Sequence, residues 1–343
     1  MAALRGLHHI TLISSDIRRT TQFYTEVLGL RLIKQTVNFD DPSAKHLYFA
    51  DEVGTPGTVI TYFEWPHLAP GSTGVGLTHH YALAVADEEA LQRWWVRLRR
   101  LGVEVTNPRP RRYFTSIYFR DPDGVILEIA TRGPGFLIDE PEEELGGRVI
   151  VPPEEFLKPW RKDEPPQVER LDYDGSEIIP AMRVQGIHHI TLTSGDIERT
   201  TWFYTELLGQ RVIKRTVNYD DPGAAHYYYG NRTGTPGTIV TYFGYPAMSR
   251  GRMGVGVAHH YAFLVETDEQ QRGWVDRLRA AGVSTTDVID RKYFRSVYFN
   301  DPDGVILEIA TRGPGFLVDE DLSALGSRLI LPEWLQAAQT TSN

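Results

Sequence analysis

The chain has 343 residues, of which 41% are hydrophobic and 11% aromatic, and this length allows two domains with full cores. Its net charge of -9 comes from acidic and basic residues mixed along the chain, without the basic stripe that nucleic-acid binding requires. The sequence contains no cysteine, which excludes disulfides and leaves only nitrogen and oxygen atoms as metal ligands. It shows neither a signal peptide nor a membrane-spanning stretch, and we expect a cytoplasmic protein.

In chain order, the first quarter predicts a strand at HHITLIS, a helix over DIRRTTQFYTEVLG and three strands at RLIKQTVNF, KHLYFA and TVITYF. Asp16 is a good N-cap for this helix and Gly29 a good stop signal. The second quarter repeats the order with HHYALAV, a helix between Asp87 and Gly102, and strands near VEVTN, TSIYF and VILEIA. Each quarter therefore predicts one β-α-β-β-β unit.

The second half of the chain repeats the first. GLHHITLISSDIRRTTQFYTEVLG at 6–29 matches GIHHITLTSGDIERTTWFYTELLG at 186–209, and DPDGVILEIATRGPGFL occurs identically at 121–137 and 301–317, both with an offset of 180 positions. This tandem duplication predicts a domain over 1–152, a linker over 153–185, a second domain over 186–332 and a C-terminal tail over 333–343.

Four of the predicted strands begin with two histidines, at 8–9, 79–80, 188–189 and 259–260. Because successive side chains of a strand point to opposite faces, His80 shares its face with Ala82 and Ala84, and large apolar residues take the other face. We therefore expect the second histidine of each pair in an open, concave cup. His8 and His259 face away from it unless the strand bulges.

A glutamate recurs in the apolar run VILEIA of each half, at Glu128 and Glu308. An ionised glutamate in such a strand is costly to bury unless it is paired or bound to a cation. Two imidazoles with one carboxylate form the facial ligand set of non-haem Fe(II) oxygenases. Alignment of GTPGTVITYF with DPDGVILEIA places Thr61 opposite Glu128 and Thr241 opposite Glu308, so two of the four units carry the carboxylate.

The pairing of the units stays open at this point. Pairing within halves predicts the triads His9, His80, Glu128 and His189, His260, Glu308. Pairing across halves predicts His9, His260, Glu308 and His80, Glu128, His189. His46 and His226 alternate with aromatic residues, and we expect them to pack or to line a wall.

The four units, the HHIT start, the segment YFADEVGTPGTVITYF, the HHYA strand and ILEIATRGPGF together resemble the vicinal oxygen chelate superfamily. This superfamily contains glyoxalase I, bleomycin-resistance proteins and extradiol dioxygenases, and the chain is most similar to the hydroquinone-type ring-cleaving dioxygenases. The resemblance implies an α+β fold in which four βαβββ units form two curved-sheet, glyoxalase-like barrels.

The resemblance also implies site residues. It favours the crossed pairing, with one working metal site at His9, His260 and Glu308 and a second candidate site at His80, Glu128 and His189. His8, Thr11 and His259 then surround the ligands, Tyr298 donates a hydrogen bond to a substrate oxygen, and His259 transfers a proton. The family's arginine insertion before YF is absent, and Arg291 or Arg295 is expected to replace it.

Glyoxalase-type isomerases generally use a second carboxylate where this chain has threonine. Three protein ligands leave room for a hydroxylated aromatic and O2. We therefore predict an Fe(II)-dependent ring-cleaving dioxygenase of a hydroquinone or catechol, with Mn, Zn or Ni as alternative metals. The alternatives are a glyoxalase-like lyase or isomerase and a non-enzymatic aromatic-binding resistance protein. The expected partner is a small aromatic substrate, with neither nucleic acid nor membrane, and homo-oligomers are left open.

Overall fold

The computed structural model describes residues 3–157 and 171–335. These residues form sixteen strands: β1 (Leu7–Ser14), β2 (Arg31–Val37), β3 (Lys45–Ala50), β4 (Val59–Glu64), β5 (Thr78–Val85), β6 (Arg109–Pro110), β7 (Thr115–Arg120), β8 (Ile126–Thr131), β9 (Ile187–Ser194), β10 (Arg211–Asn218), β11 (Asp221–Gly230), β12 (Ile239–Gly244), β13 (Ala258–Val265), β14 (Ile289–Asp290), β15 (Arg295–Asn300) and β16 (Ile306–Thr311). They also form four α-helices: α1 (Ile17–Gln22), α2 (Glu88–Arg100), α3 (Ile197–Trp202) and α4 (Asp268–Ala280).

The strands form two eight-stranded sheets, and each sheet takes strands from both halves of the chain. The first sheet has the order β14-β15-β16-β13-β1-β4-β3-β2, and the second has the order β10-β11-β12-β9-β5-β8-β7-β6. Unit one is thus joined to unit four by the antiparallel pair β1–β13, and unit two to unit three by β5–β9. The predicted fold of four units in two curled sheets is confirmed. Of the two pairings left open, the structure has the crossed one.

The predicted domain limits stay predictions, because each sheet mixes strands from both repeats. Part of the predicted linker, 158–170, and most of the predicted tail, 336–343, lie outside the described residues. The described end of the linker packs against the first half: the Gln185 amide donates to the carbonyl oxygen of Ala84 at 2.8 Å, and Met182 is buried.

The first predicted helix changes its geometry before it ends. Asp16 caps α1 as predicted, since its side chain accepts hydrogen bonds from the amides of Arg18 and Arg19. The chain then continues as a π-helical turn over Phe23–Val27, and the third unit repeats this turn over Phe203–Leu207. This turn belongs to the buried face of the first unit, where the Tyr24 hydroxyl lies 2.7 Å from the Tyr62 hydroxyl.

The predicted strand at VEVTN is wrong. Only an isolated bridge between Val105 and Phe119 forms there, and the edge strand β6 lies further on, at Arg109–Pro110. The fourth unit has the same interruption, with an isolated bridge between Thr285 and Phe299 before β14 and with Val288 in the place of Pro108, so it belongs to the fold of the unit and does not depend on proline. The second predicted helix is confirmed as α2, with Asp87 as its cap.

The buried residues separate the two faces of each sheet as the alternation predicts. Tyr81, Leu83 and Val85 belong to a large core that includes the helices. Ala82, from the opposite face of β5, lies in a smaller cluster with Ala130 on the face that carries the ligands. None of the helices in residues 3–157 and 171–335 is long and apolar enough to span a membrane.

Candidate metal centres

The first histidine of each pair is the extra residue of a β-bulge. On β1, Leu7 lies opposite Phe263 and His9 lies opposite Ala262, so that one partner step corresponds to two steps on β1. His8 is therefore the residue without a partner in the ladder. In a bulge the side chain of the extra residue no longer follows strict alternation, so the His8 side chain can approach the concave face.

The other three pairs follow the same rule. The register shifts of β13 against β1 and of β5 against β9 make the following residues extra in their strands: His79, His188 and His259. The doubled histidine is thus a structural motif in which the bulge places two imidazoles side by side. The Nδ1 atoms of His8 and His9 are 2.8 Å apart, and those of His259 and His260 are also 2.8 Å apart.

The second histidines converge on the glutamates across the halves of the chain. His9 Nε2 lies 3.2 Å and His260 Nε2 lies 3.1 Å from Glu308 Oε2. In the second sheet, His80 Nε2 lies 3.0 Å and His189 Nε2 lies 3.2 Å from Glu128 Oε2. Among the described residues these are the only two groups of three potential ligands whose donor atoms all lie within 4.8 Å of one another. The within-half triads do not form.

The donor atoms fit a divalent metal ion. Two ligands at right angles, each about 2.1 Å from a metal, are about 3.0 Å apart, close to the observed nitrogen–oxygen distances. Glu308 Oε1 accepts a hydrogen bond from Ser296 Oγ at 2.5 Å. Glu308 Oε2 is buried and accepts no hydrogen bond of normal geometry from the described residues. An orphaned carboxylate oxygen between two imidazole nitrogens is the environment that a bound cation completes.

The electrostatics favour the protonation states that bind metal. Burial by itself raises the pKa of Glu308, but the neighbouring His9 and His260 hold this pKa well below its ordinary value. Burial lowers the pKa of His260, and Glu308 opposes this only in part. The Glu308 carboxylate and the neutral His260 imidazole need no proton loss before they coordinate a cation.

The first histidines contact the ligands from behind. His8 packs against Phe294, and burial together with the charge of His9 lowers the pKa of His8 to about 3. Burial and His260 lower the pKa of His259 to about 3 as well. Both rings are therefore neutral near pH 7, and each can accept the Nδ1 proton of the adjacent ligand, which leaves Nε2 free for the metal. The bulges thus place His8 and His259 beside the ligands, whereas strict alternation places them on the far side.

Tyr298 and Thr11 line the cavity in front of the first triad. Tyr298 pairs with Glu308 across β15 and β16, as the hairpin predicts, and its ring centre is 5.4 Å from that of His260. Thr61 occupies the place where a second carboxylate would act as a fourth ligand. Its Oγ1 donates to Thr11 Oγ1 at 2.8 Å and lies 2.8 Å from His46 Nε2, so the threonine hydroxyl is already engaged by its neighbours.

The two candidate arginines lie in different places. The Arg291 guanidinium stands 5.3 Å above the Tyr298 ring and donates to Asp40 at 2.7 Å, and it lines the cavity. Arg295 lies at the surface and pairs with Asp268. Lys292, which follows Arg291, has a positive φ of 71°, a backbone conformation that residues other than glycine rarely adopt. Of the two candidates, Arg291 is the one placed to contact a substrate.

The sequence analysis missed the serines that hold the glutamates. Ser296 bonds to Glu308 and Ser116 bonds to Glu128. The signal was present, since the serine stands two positions before the tyrosine in both TSIYF and RSVYF, and alternation places both side chains on the ligand face.

The comparisons with known proteins agree with this geometry. The model of the Glyoxalase/Bleomycin resistance protein/Dioxygenase superfamily matches residues 6–129 and 186–309. MhqO of Bacillus subtilis, which is named as a ring-cleaving dioxygenase, is 32% identical over 95% of this chain and 91% of its own. The chlorohydroquinone/hydroquinone 1,2-dioxygenase of Sphingobium indicum is 27% identical over 98% of this chain and 94% of its own.

A solved structure also matches over the full length. The crystal structure of a protein described as a dioxygenase from Bacillus subtilis superimposes with a TM-score of 0.79 at 31% identity, covering 99% of this chain and 96% of the other. The similarity to hydroquinone-type ring-cleaving dioxygenases that the motifs indicated is confirmed. The chain belongs to the Glyoxalase/Bleomycin resistance protein/Dioxygenase superfamily.

Proposed function

We propose that this protein is an Fe(II)-dependent ring-cleaving dioxygenase of a hydroxylated aromatic such as a hydroquinone or catechol, with His9, His260 and Glu308 as metal ligands. One observation carries the proposal: beside the buried triad stands a threonine, Thr61, where a fourth ligand, a second carboxylate, would otherwise stand. The names of full-length relatives as ring-cleaving dioxygenases support the same reaction class.

The number of ligands favours oxygen chemistry over isomerisation. Three protein ligands leave about three positions of an octahedral ion for substrate oxygens and O2. When bound, the ion supplies Lewis-acid polarisation of the substrate and activation of O2. A set of two imidazoles and one carboxylate also accepts Mn, Zn or Ni, and the choice of iron rests on the similarity to dioxygenases.

The protein's own contribution begins with Tyr298. Burial and the nearby Glu308 raise the pKa of Tyr298 far above its ordinary value, so its hydroxyl keeps the proton and can donate a hydrogen bond to an oxyanion on the substrate. Arg291 lies over the same ring and adds positive charge. Donors that are already in place stabilise developing negative charge without a reorganisation cost.

The remaining wall is aromatic, and the cavity of about 20 Å³ admits a ring once this wall moves. Phe39, Phe63 and Phe294 line the cavity and exclude water from the ligands. His8 and His259 stay behind the ligands, where they hold the imidazoles in orientation. The structure gives His259 contact with His260 Nδ1, which supports a positioning role more directly than the proton transfer that the resemblance implies.

The test is oxygen uptake. The protein is reconstituted with Fe(II) without air and mixed with hydroquinone or catechol at an oxygen electrode, and we expect one O2 consumed per ring cleaved. Glu308→Ala should lower uptake with unsubstituted hydroquinone by more than about 100-fold, since removing even an outer partner of a ligand costs 10–100-fold. The exposed Glu144→Ala is the control and should leave uptake unchanged.

Other outcomes contradict the proposal in distinct ways. Turnover of a hemithioacetal by Zn- or Ni-loaded protein without O2 would indicate a lyase or isomerase. Tight binding of an aromatic by metal-free protein, without turnover, would indicate a resistance protein of the sequestering kind.

A further inference from the structure

The larger cavity of the two lies in front of the second triad. A cavity of about 250 Å³ contacts His80 and His189, whereas the cavity in front of His9 and His260 measures about 20 Å³. A volume of about 15 Å³ already accommodates one water molecule, and small-molecule pockets begin at about 300 Å³. An aromatic ring therefore enters the first centre only if its wall moves, whereas the second centre is nearly open enough already.

The hairpin beside each cavity differs between the halves. In the second sheet, β10 continues to Asn218, which pairs with Asp221 at the start of β11. In the first sheet, β2 ends at Val37 and β3 begins at Lys45, and the irregular loop between them brings Phe39 to the small cavity. The two cavities thus differ most in backbone regularity at the equivalent hairpins.

The groups around the second triad repeat those of the first. Tyr118 pairs with Glu128 across β7 and β8, and Ser116 bonds to the same glutamate. Arg111 Nε donates to the Tyr118 hydroxyl at 3.3 Å. Each element that we assign a role at the first centre therefore has its counterpart here.

Two polar residues of the second cavity wall replace apolar residues of the first half, and the acidic Asp220, which also lines this cavity, pairs with Arg111. Arg109 lines the second cavity, and the equivalent position in the first half is Ile289. Tyr219 also lines it, and the equivalent residue is Phe39. The Tyr219 hydroxyl is buried and makes no hydrogen bond of normal length and angle within the described chain; the neighbouring Thr216 hydroxyl donates instead to the carbonyl oxygen of Ile150.

We propose that His80, Glu128 and His189 form a second working metal centre, whose pocket selects a hydroxylated aromatic with an anionic ring substituent. Arg109 supplies the positive charge and Tyr219 the hydrogen-bond donor for that substituent. The inference rests on the proposed function, because the reaction is the same. Both atoms of O2 enter the product while one ring carbon–carbon bond breaks, so no further oxidant or reductant is needed.

The number of bound iron ions tests the metal part. Protein reconstituted anaerobically with Fe(II) and desalted should hold two irons per chain by atomic emission. Glu128→Gln and Glu308→Gln should each hold one, and the double variant none. His80→Gln repeats the test with a different ligand. One iron per chain in the unsubstituted protein, unchanged by Glu128→Gln, would overturn the proposal.

Substrate preference tests the pocket. Hydroquinone and 2,5-dihydroxybenzoate, which adds a carboxylate to the same ring, are compared by oxygen uptake. Glu128→Gln should lose most uptake with 2,5-dihydroxybenzoate, and Glu308→Gln most uptake with hydroquinone. Arg109→Ile introduces the residue of the first half, and it should raise the KM for 2,5-dihydroxybenzoate at least about tenfold, the usual effect of a lost hydrogen bond to a charged group. Arg120→Asn, which also introduces the residue of the other half, is the control.

A binding measurement separates this inference from the proposed function. Calorimetry with Zn2+-loaded Glu308→Gln should show 2,5-dihydroxybenzoate binding that Arg109→Ile weakens at least about tenfold. Two irons and this binding, without any oxygen uptake, would uphold the second site and overturn the dioxygenase. Oxygen uptake that depends on Glu308 alone for both compounds would uphold the dioxygenase and overturn the second site.

Discussion

The two candidate metal centres have the same potential ligands but different walls. In both, an imidazole from a first-half strand and one from a second-half strand approach a single glutamate oxygen at 3.0–3.2 Å. The walls differ at equivalent positions: Phe39 lines the first cavity where Tyr219 lines the second, and Arg109 lines the second cavity where the sequence of the other half has Ile289. The two halves thus share the His and Glu residues of the triads, whereas residues that line the cavities differ.

The triad residues and the wall residues differ in how tightly the structure constrains them. The ligands sit on paired strands in which the bulges and the serine contacts fix each ring and carboxylate. The wall residues sit at hairpin ends and on edge strands, where a substitution disturbs few neighbours. Four sets of matched variants, each with one member per sheet, test how far the two sheets differ.

The largest effect is expected from the buried lysines. Lys34 is fully buried, 2.6 Å from Asp319 and in contact with Glu320, and Lys214 repeats this arrangement in the second sheet. Methionine at either position removes the buried cation that contacts Glu320 or Glu140, whereas Asp319 and Asp139 keep Lys292 and Arg112 as partners. We expect Lys34→Met and Lys214→Met each to lower the free energy of unfolding by about 3–5 kcal/mol in urea titrations.

The matched control for the lysines is Lys45→Met. Lys45 is half exposed and pairs with Glu64, so this change should cost less than about 1 kcal/mol. Unequal losses for Lys34→Met and Lys214→Met would show that the two sheets differ in more than their cavity walls.

The tyrosines in front of the metal come next. Tyr298→Phe and Tyr118→Phe should each reduce kcat at their own centre by about 100–1000-fold, the usual effect of losing one oxyanion donor. Iron content should stay at the unsubstituted value, because neither hydroxyl is a ligand. Tyr227→Phe, which contacts neither cavity, serves as the control. Equal kcat for Tyr298→Phe and the unsubstituted protein with hydroquinone would remove Tyr298 from the reaction.

The serines behind the glutamates should have smaller effects. Ser296→Ala frees Glu308 Oε1 and Ser116→Ala frees Glu128 Oε1, and each should lower iron affinity at its own centre by about 10–100-fold. Competition with a chelator measures this loss. If Ser116→Ala changed the affinity of the first centre, the two centres would not be independent.

The smallest effect concerns pH. Burial raises the pKa of Asp121 and of Asp301 to about 6, although hydrogen bonds from Tyr62 and Tyr242 act in the opposite sense. The folded protein therefore holds these protons more tightly than the unfolded chain does, and the stability they contribute is complete below about pH 3.8 and is lost as the pH rises through about 6.

When the pH is raised from 4.5 to 5.5, the free energy of unfolding should fall by about 1 kcal/mol for each of the two aspartates. Asp121→Asn and Asp301→Asn should each remove half of this slope, because the two tyrosine networks are equivalent. Urea titrations at the two pH values measure the difference. A slope that survives the double substitution would have to come from other groups.

Much of the architecture could be predicted from the sequence. The constant offset between repeats revealed the duplication, and alternation assigned Ala82 to the ligand face and Tyr81 to the helix face. The glutamates could be predicted as candidate ligands because an ionised carboxylate in an apolar strand is costly to bury without a partner or a cation.

The rest could not be predicted, for physical reasons. Two nearly identical repeats offer each strand two equivalent partners, so residue patterns alone cannot choose the crossed pairing. The bulge at His8 depends on the register between β1 and β13, which lie about 250 residues apart in the chain, so local sequence propensity does not predict it. The difference in cavity size depends on a hairpin whose two versions, DDPSAKHLYF and DDPGAAHYYY, look alike in sequence.

The exchange of units between the sheets has a consequence for the origin of the chain. One half on its own leaves β1 and β5 without the partners that complete a sheet, but a second identical copy related by a twofold axis would supply both. Such an assembly would contain two active centres that are the same by symmetry. Covalent fusion of the copies frees each centre to change without the other, and under the proposed function a single chain would then accept two kinds of aromatic molecule.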